Sequence, residues 1–139
     1  MFSSAVLRGI ADVISHTTTS LVIPAVLPLL KHEQAIVRYQ AAIIIGGMGS
    51  DADTAKEPIL TALQEERGLP TAQLLVFEEL ALAAIDVGVE PDKITERVLT
   101  ILGDDSYEVR ARGALILARL GRAAASAVGK LTEMLNELE

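Results

Sequence analysis

Apolar residues recur at three- and four-residue spacing along nearly the whole chain, and polar breaks divide the pattern into eight helical stretches. From Ser4 to about Ser15, the positions Val6, Leu7, Ile10, Val13 and Ile14 share one helical face. The run His16 to Ser20 reads as a break, with Thr19 or Ser20 capping a second helix over Leu21 to Lys31. Pro24 falls in or near the first turn of that helix, and Pro28 deeper, where a kink is expected. A third helix over Gln34 to Met48 carries Val37, Ala41, Ile44 and Met48 on one stripe, and Ile43 and Ile45 make it apolar around more than half its circumference. Gly46 and Gly47 mark its fraying end or a close helix contact, and Gly49 fits a C-terminal cap. A fourth helix starts at Asp51 or Asp53, bends at Pro58, reaches Glu66 and turns Ile59, Leu60 and Leu63 inward. The fifth covers Thr71 to Val87, and the sixth follows Glu90-Pro91 with Ile94, Val98, Ile101 and Leu102 inward. The seventh begins where Asp105 and Glu108 have capping-box spacing. The eighth, Ala123 to Leu138, carries Leu131, Met134, Leu135 and Leu138. The expected fold is therefore all-α, with four antiparallel helix hairpins and no strand.

The stretch from Leu30 to Leu63 returns in register 72 positions later: Leu30 falls on Leu102, Val37 on Val109, Arg38 on Arg110, Gly49 on Gly121, Ala55 on Ala127 and Ile59 on Leu131. Twice thirty-six is 72, so a third copy lies between the two clear ones, and a period of that size indicates stacked repeats in a right-handed α-α superhelix, or solenoid. The middle copy matches at an offset of 39, Gly49 on Gly88, which places about three extra residues around Gly68 to Thr71 and puts Phe77 where the others have arginine. The approximate repeats are 1–33, 34–69, 70–103 and 104–139, within one domain over 1–139. Register places Val37, Ala41, Ile44, Val109, Gly113, Ile116 and Leu131 in the core.

These residues resemble HEAT repeats, in the short bacterial and archaeal form also seen in phycobilin lyases. The resemblance rests on Ile23-Pro24-Ala25 with Leu29 to Glu33, on Val37-Arg38 with Ala41-Ala42 and Gly49, and on Leu102, Asp104-Asp105, Val109-Arg110, Ala114-Leu115 and Leu120-Gly121. It implies that Val37 and Val109 are core and that Arg38 and Arg110 are structural, each bonding toward an acid at the preceding turn. His32 stands where Asp104 stands in the later copy, so the acid at Arg38 is missing unless Glu33 replaces it. Similar modules also occur as tails on larger bacterial enzymes, which makes an excised or orphaned tail one alternative.

Composition narrows the function more than the fold. Half of the 139 residues are apolar with only 3% aromatic, a mix that suits stacked helices better than sheets. The 12 basic and 19 acidic residues leave a net charge of -7, which opposes binding to a polyphosphate backbone. Between Asp51 and Leu102, eleven acids face four bases, so the whole net charge sits in the middle of the chain. The absence of cysteine removes disulfide, thiolate and Cys-metal chemistry. The N-terminal residues lack a basic leader before an unbroken apolar core, and Leu21 to Leu30, with two prolines, is too short to span a membrane. A cytoplasmic protein with no membrane contact is the expectation.

Candidate chemistry is sparse. His16 and His32 sit in separate turns without metal-ligand spacing, and neither is expected to bind metal or transfer protons. The adjacent carboxylates Glu78 and Glu79 point about 100° apart on a helix and read as a solvated strip. Gly46-Gly47 lacks the strand and turn of a phosphate loop. Arg112, Arg119 and Arg122 form either a small anion site or, with no aromatic platform near, a solvated edge. No enzyme signature, cofactor site or metal site emerges. The expected function is a non-enzymatic scaffold whose curved, acidic face, built by the second helix of each pair, docks a protein or peptide of basic character. Glu57, Thr61, Gln64, Glu65, Asp92, Glu96 and Arg97 are its candidate contacts. Two alternatives follow from the fold alone: an accessory module for a tetrapyrrole protein, and a DNA-base glycosylase, which needs a basic face and aromatic side chains that this chain lacks. Phe2, Val6, Leu7, Ile10, Val13 and Ile14 leave the first helix rich in apolar groups, and association of two copies through it is expected.

Overall fold

The computed structural model of the chain describes residues 4–66 and 71–137. These form seven α-helices with no strand among them: α1 (Ser4–Val26), α2 (Ala35–Met48), α3 (Lys56–Glu65), α4 (Thr71–Val87), α5 (Pro91–Leu99), α6 (Tyr107–Leu120) and α7 (Val128–Glu137). Short 3-10 segments at Leu27–Lys31, Gly49–Ala55 and Gly121–Ala127 connect them. No described helix is long and apolar enough to cross a membrane.

The first departure from expectation is α1, which runs unbroken through His16 to Ser20 where a turn and a new cap were expected. Threonine and serine lower helix propensity by less than about 0.7 kcal/mol each, and packing overrides a deficit of that size. Thr19, Ile23, Val26 and Leu30 supply the packing, all buried at helical spacing. Pro24 is tolerated inside α1, and the kink falls at Pro28, where the chain tightens into 3-10 geometry. The first hairpin is thus replaced by one long helix and a 3-10 turn. The expected side-chain stripe at Leu7, Val13 and Ile14, the His16 imidazole, the insertion at Gly68 to Pro70, and the side chains of Met134, Leu135 and Leu138 lie outside the described residues.

Helix α4 is the centre of the fold. It packs most extensively on α2 and also touches α3, α5 and α6, while α3 touches α5. Val76, Phe77, Leu80, Ala81, Ala84 and Val87 are accordingly buried. Gly46 is a close helix contact rather than a fraying end, because a Cβ there would lie 3.2 Å from the Ala83 Cα. α2 continues past it to Met48.

The 72-residue period is present in the backbone as well as the letters. Gly49 and Gly121 both have φ of 59°, the left-handed region that favours glycine, and both end their helices. Ala52 and Ala124, again 72 apart, both leave helical geometry at φ -93°. The same kinked 3-10 segment follows each, so α3 begins at Lys56, with Pro58 in its first turn, where a missing N–H costs little.

Burial follows the register except at the two ends. Ala41, Val109, Gly113 and Ile116 are buried as expected. Val37 and Leu131 are only half-buried, and Ile44 is 42% exposed, with Ile45 taking the core position instead. The expected Asp105–Glu108 capping box does not form, since Ser106 is the N-cap of α6 and makes no side-chain cap bond.

Candidate functional site

The arginine turns show most clearly what the repeats do. Arg38 donates from Nη1 to the carbonyls of His32 (2.8 Å) and Glu33 (3.0 Å), and Arg110 donates likewise to Asp104 (2.7 Å) and Asp105 (2.9 Å). Each guanidinium therefore ties down backbone acceptors left unsatisfied by the turn before its helix, rather than a carboxylate of that turn. The His32 side chain takes over the hydrogen bond that the aspartate makes in the later copy. Its Nδ1 accepts from the Gln34 N–H at 3.0 Å, as Asp104 Oδ1 accepts from Ser106 N–H at 2.8 Å.

Arg38 has a further partner that sequence spacing does not reveal. Its Nε and Nη2 donate to the two oxygens of Glu66, at 3.3 and 3.1 Å, a forked pair in which the Glu66 side chain is 7% exposed. The Glu66 carbonyl also accepts from Arg97, whose Nε donates to the Leu63 carbonyl at 2.9 Å and whose Nη1 donates to Thr100 Oγ1 at 2.7 Å. One residue at the end of α3 thus links α2 to α5. Arg97 also lies over the Phe77 ring, 5.0 Å from its centroid, so the arginine missing from α4 is replaced by one reaching across from α5.

These contacts change the membership of the expected binding face. Glu57, Gln64, Glu65, Asp92 and Glu96 are exposed and Thr61 is half-buried, but Arg97 is withdrawn into the structure as a cap for α3. Among the described residues, no ion pair engages Glu57, Glu65, Asp92 or Glu96. Lys56 is paired with Asp53 at 2.7 Å, which leaves the exposed faces of α3 and α5 with more carboxylate than cation. None of the large exposed apolar side chains lies on α3 or α5. Beside them an open cleft of about 470 Å³, bordered by Lys31, His32, Arg38, Glu65, Glu66 and Gln73, has the Arg38–Glu66 pair in its wall.

The remaining candidates sit between α4 and α6. Arg112 is bonded to Glu78 at 2.8 Å, and Arg119 lies 3.9 Å from Asp86. The expected strip and the expected arginine cluster therefore meet across the α4–α6 contact at Glu78 and Arg112, while Arg119 turns to Asp86. Glu79 is half-buried, and its carboxyl titrates above the ordinary range because burial disfavours the charge, with Glu78 and Asp86 adding repulsion. No three His, Asp or Glu side chains converge among the described residues, and the chain has no cysteine. No family model matches the chain, and neither do the curated proteins or the solved structures with which it was compared.

Proposed function

We propose that the chain is a short HEAT-like α-solenoid acting as a non-enzymatic interaction module, with the exposed acidic faces of α3 and α5 as its docking surface for a basic protein or peptide. In this reading the hairpins pair α2 with α3 and α6 with α7 through their 3-10 segments and α4 with α5 directly, and α1 with its 3-10 continuation stands in place of a fourth. Adjacency of α2, α4 and α6 in one row and of α3 and α5 in another supports the stack, as does the repetition of the arginine turn and glycine cap at 72 residues. In such a stack the second helices line the curved inner face. The observation that carries the function is the excess of carboxylate there: Glu57, Glu65, Asp92 and Glu96 face solvent against the exposed Lys93, and Arg97 is turned inward.

A face of that kind steers a cationic partner by long-range attraction and releases it with salt. DNA and RNA are excluded by the same sign of charge, and the module carries no cofactor or metal. Reversing Glu57 and Glu65 to Lys tests it, with capture of a Lys/Arg-rich peptide on immobilised protein as the readout. Wild type retains the peptide at low salt and releases it as salt rises, while the reversed variant does not retain it. Equal retention by both would refute the assignment of this face. The exposed apolar groups of α1, Val6 and Ile10 among them, offer a separate surface for association between copies.

A further inference from the structure

The three copies of the repeat allow each end of the stack to be compared with its interior. On the side of each helix that faces the preceding one, α4 places Val76 and Ala83 and α6 places Val109 and Ile116, all buried. The same register positions on α2 are Val37, half-buried, and Ile44, 42% exposed. On the opposite side, Ala42 of α2 and Ala81 of α4 are fully buried under the next helix, whereas their equivalent on α6, Ala114, is exposed. Ala118, the equivalent of the Gly46 that meets Ala83, is exposed too. Two adjoining grooves of about 580 and 810 Å³ lie at this end, sharing Ala114 and Leu131 in their walls; the smaller is apolar but for Arg122, and the larger carries Asp104, Asp105, Arg110 and Glu137 at its border.

The occupant is specified by the chain itself, because the positions that form this groove are the ones that seat α4 on α2. They require a helix with a small residue at the crossing and apolar side chains beside it. At the opposite end α1 exposes Ala5, Val6, Gly9 and Ile10, apolar residues at helical spacing around a small one, and a Cβ added at Gly9 would meet nothing within 4 Å. We propose that copies of this chain stack head to tail, the N-terminal half of α1 of one copy lying on the Ala114–Ala118 face of α6 and on Leu131 of the next. The contact is heterologous, so it joins different surfaces and propagates unless rotation closes it into a ring. It rests on the stacked architecture proposed above but not on the acidic docking face.

Two blocked variants distinguish this arrangement from a symmetric α1–α1 dimer. Ile10→Glu blocks the head and Ala118→Arg the tail, and circular dichroism verifies that each is folded. In sedimentation velocity over a roughly hundredfold concentration range, wild type should grow beyond a dimer while each variant alone stays monomeric. Mixed in equal amounts, the two variants should form a heterodimer and nothing larger, because each supplies the surface the other lacks. A wild type that stays monomeric, a dimer that survives Ala118→Arg, or a mixture that remains monomeric overturns the proposal. Should Ala118→Arg fail to fold, Ala114→Glu, one turn away on the same exposed face, repeats the test. Retention of the basic peptide by both variants would show that a failure here leaves the acidic face untouched.

Discussion

Replacing Arg38 and Arg110 in turn by Met measures what the forked pair with Glu66 contributes, because the two arginines are otherwise matched. Both lose two charge-assisted bonds to turn carbonyls, and both keep an apolar stem of similar length. Half-exposed carbonyls rehydrate readily, so Arg110→Met should cost about 1–2 kcal/mol. Arg38→Met additionally strands the Glu66 carboxylate, whose side chain is 7% exposed, and breaking a buried ion pair costs about 3–5 kcal/mol. The open cleft beside Glu66 admits water, which places Arg38→Met near the lower end, about 3 kcal/mol. Urea denaturation with a common slope reads the difference directly as a shift in midpoint. Adding Glu66→Gln to Arg38→Met should recover part of the loss, and the double-mutant cycle should give a coupling of about 1–3 kcal/mol. Equal losses from Arg38→Met and Arg110→Met, with no coupling to Glu66, would refute the link between α2 and α3.

Three further outcomes follow from burial and charge. Ile59→Ala, at a fully buried site, should cost about 3–5 kcal/mol, and Leu131→Ala at the equivalent half-buried site roughly half of that; equal costs by chemical denaturation would contradict the exposed C-terminal face. Thr95 is fully buried with a hydroxyl that finds no hydrogen-bond partner among the described residues, so Thr95→Val should be neutral or stabilising by up to about 1 kcal/mol, and a loss of melting temperature would show that the hydroxyl is bonded. Glu79 holds its proton in the folded state to a pH above the ordinary 4.5, so its contribution to stability falls as pH rises from that value through its raised one. Glu79→Gln should therefore exceed wild type in stability at neutral pH and match it in acid, and a constant difference across the titration would rule out this cause.

The helical fold and its period were legible because they depend on repeated residue types: the glycines at 49 and 121 need left-handed backbone, and apolar spacing marks the buried faces. The continuity of α1 was hidden because a row of threonines signals a break locally, and only the burial of Thr19 beside Ile23 and Val26 decides otherwise. Side-chain destinations were the least legible. Arg38 and Arg97 were both visible as arginines, yet their meeting at Glu66 spans 28 and 31 residues in sequence and depends on how three helices come together. The exposure of Ile44 arises in the same way. Its spacing is that of a core residue, and what it lacks is a neighbour on that side.

The assignment of the docking face is tested most directly by amide chemical-shift mapping, titrating a Lys/Arg-rich peptide into labelled protein at about 150 mM salt, where only clustered charge retains much attraction. The account expects perturbations concentrated on α3 and α5, at Glu57, Gln64, Glu65, Asp92 and Glu96, fading as salt is raised. Perturbations confined to the exposed apolar positions Ile36, Ile43 and Leu115 of α2 and α6, or no perturbation at any peptide concentration, would contradict it.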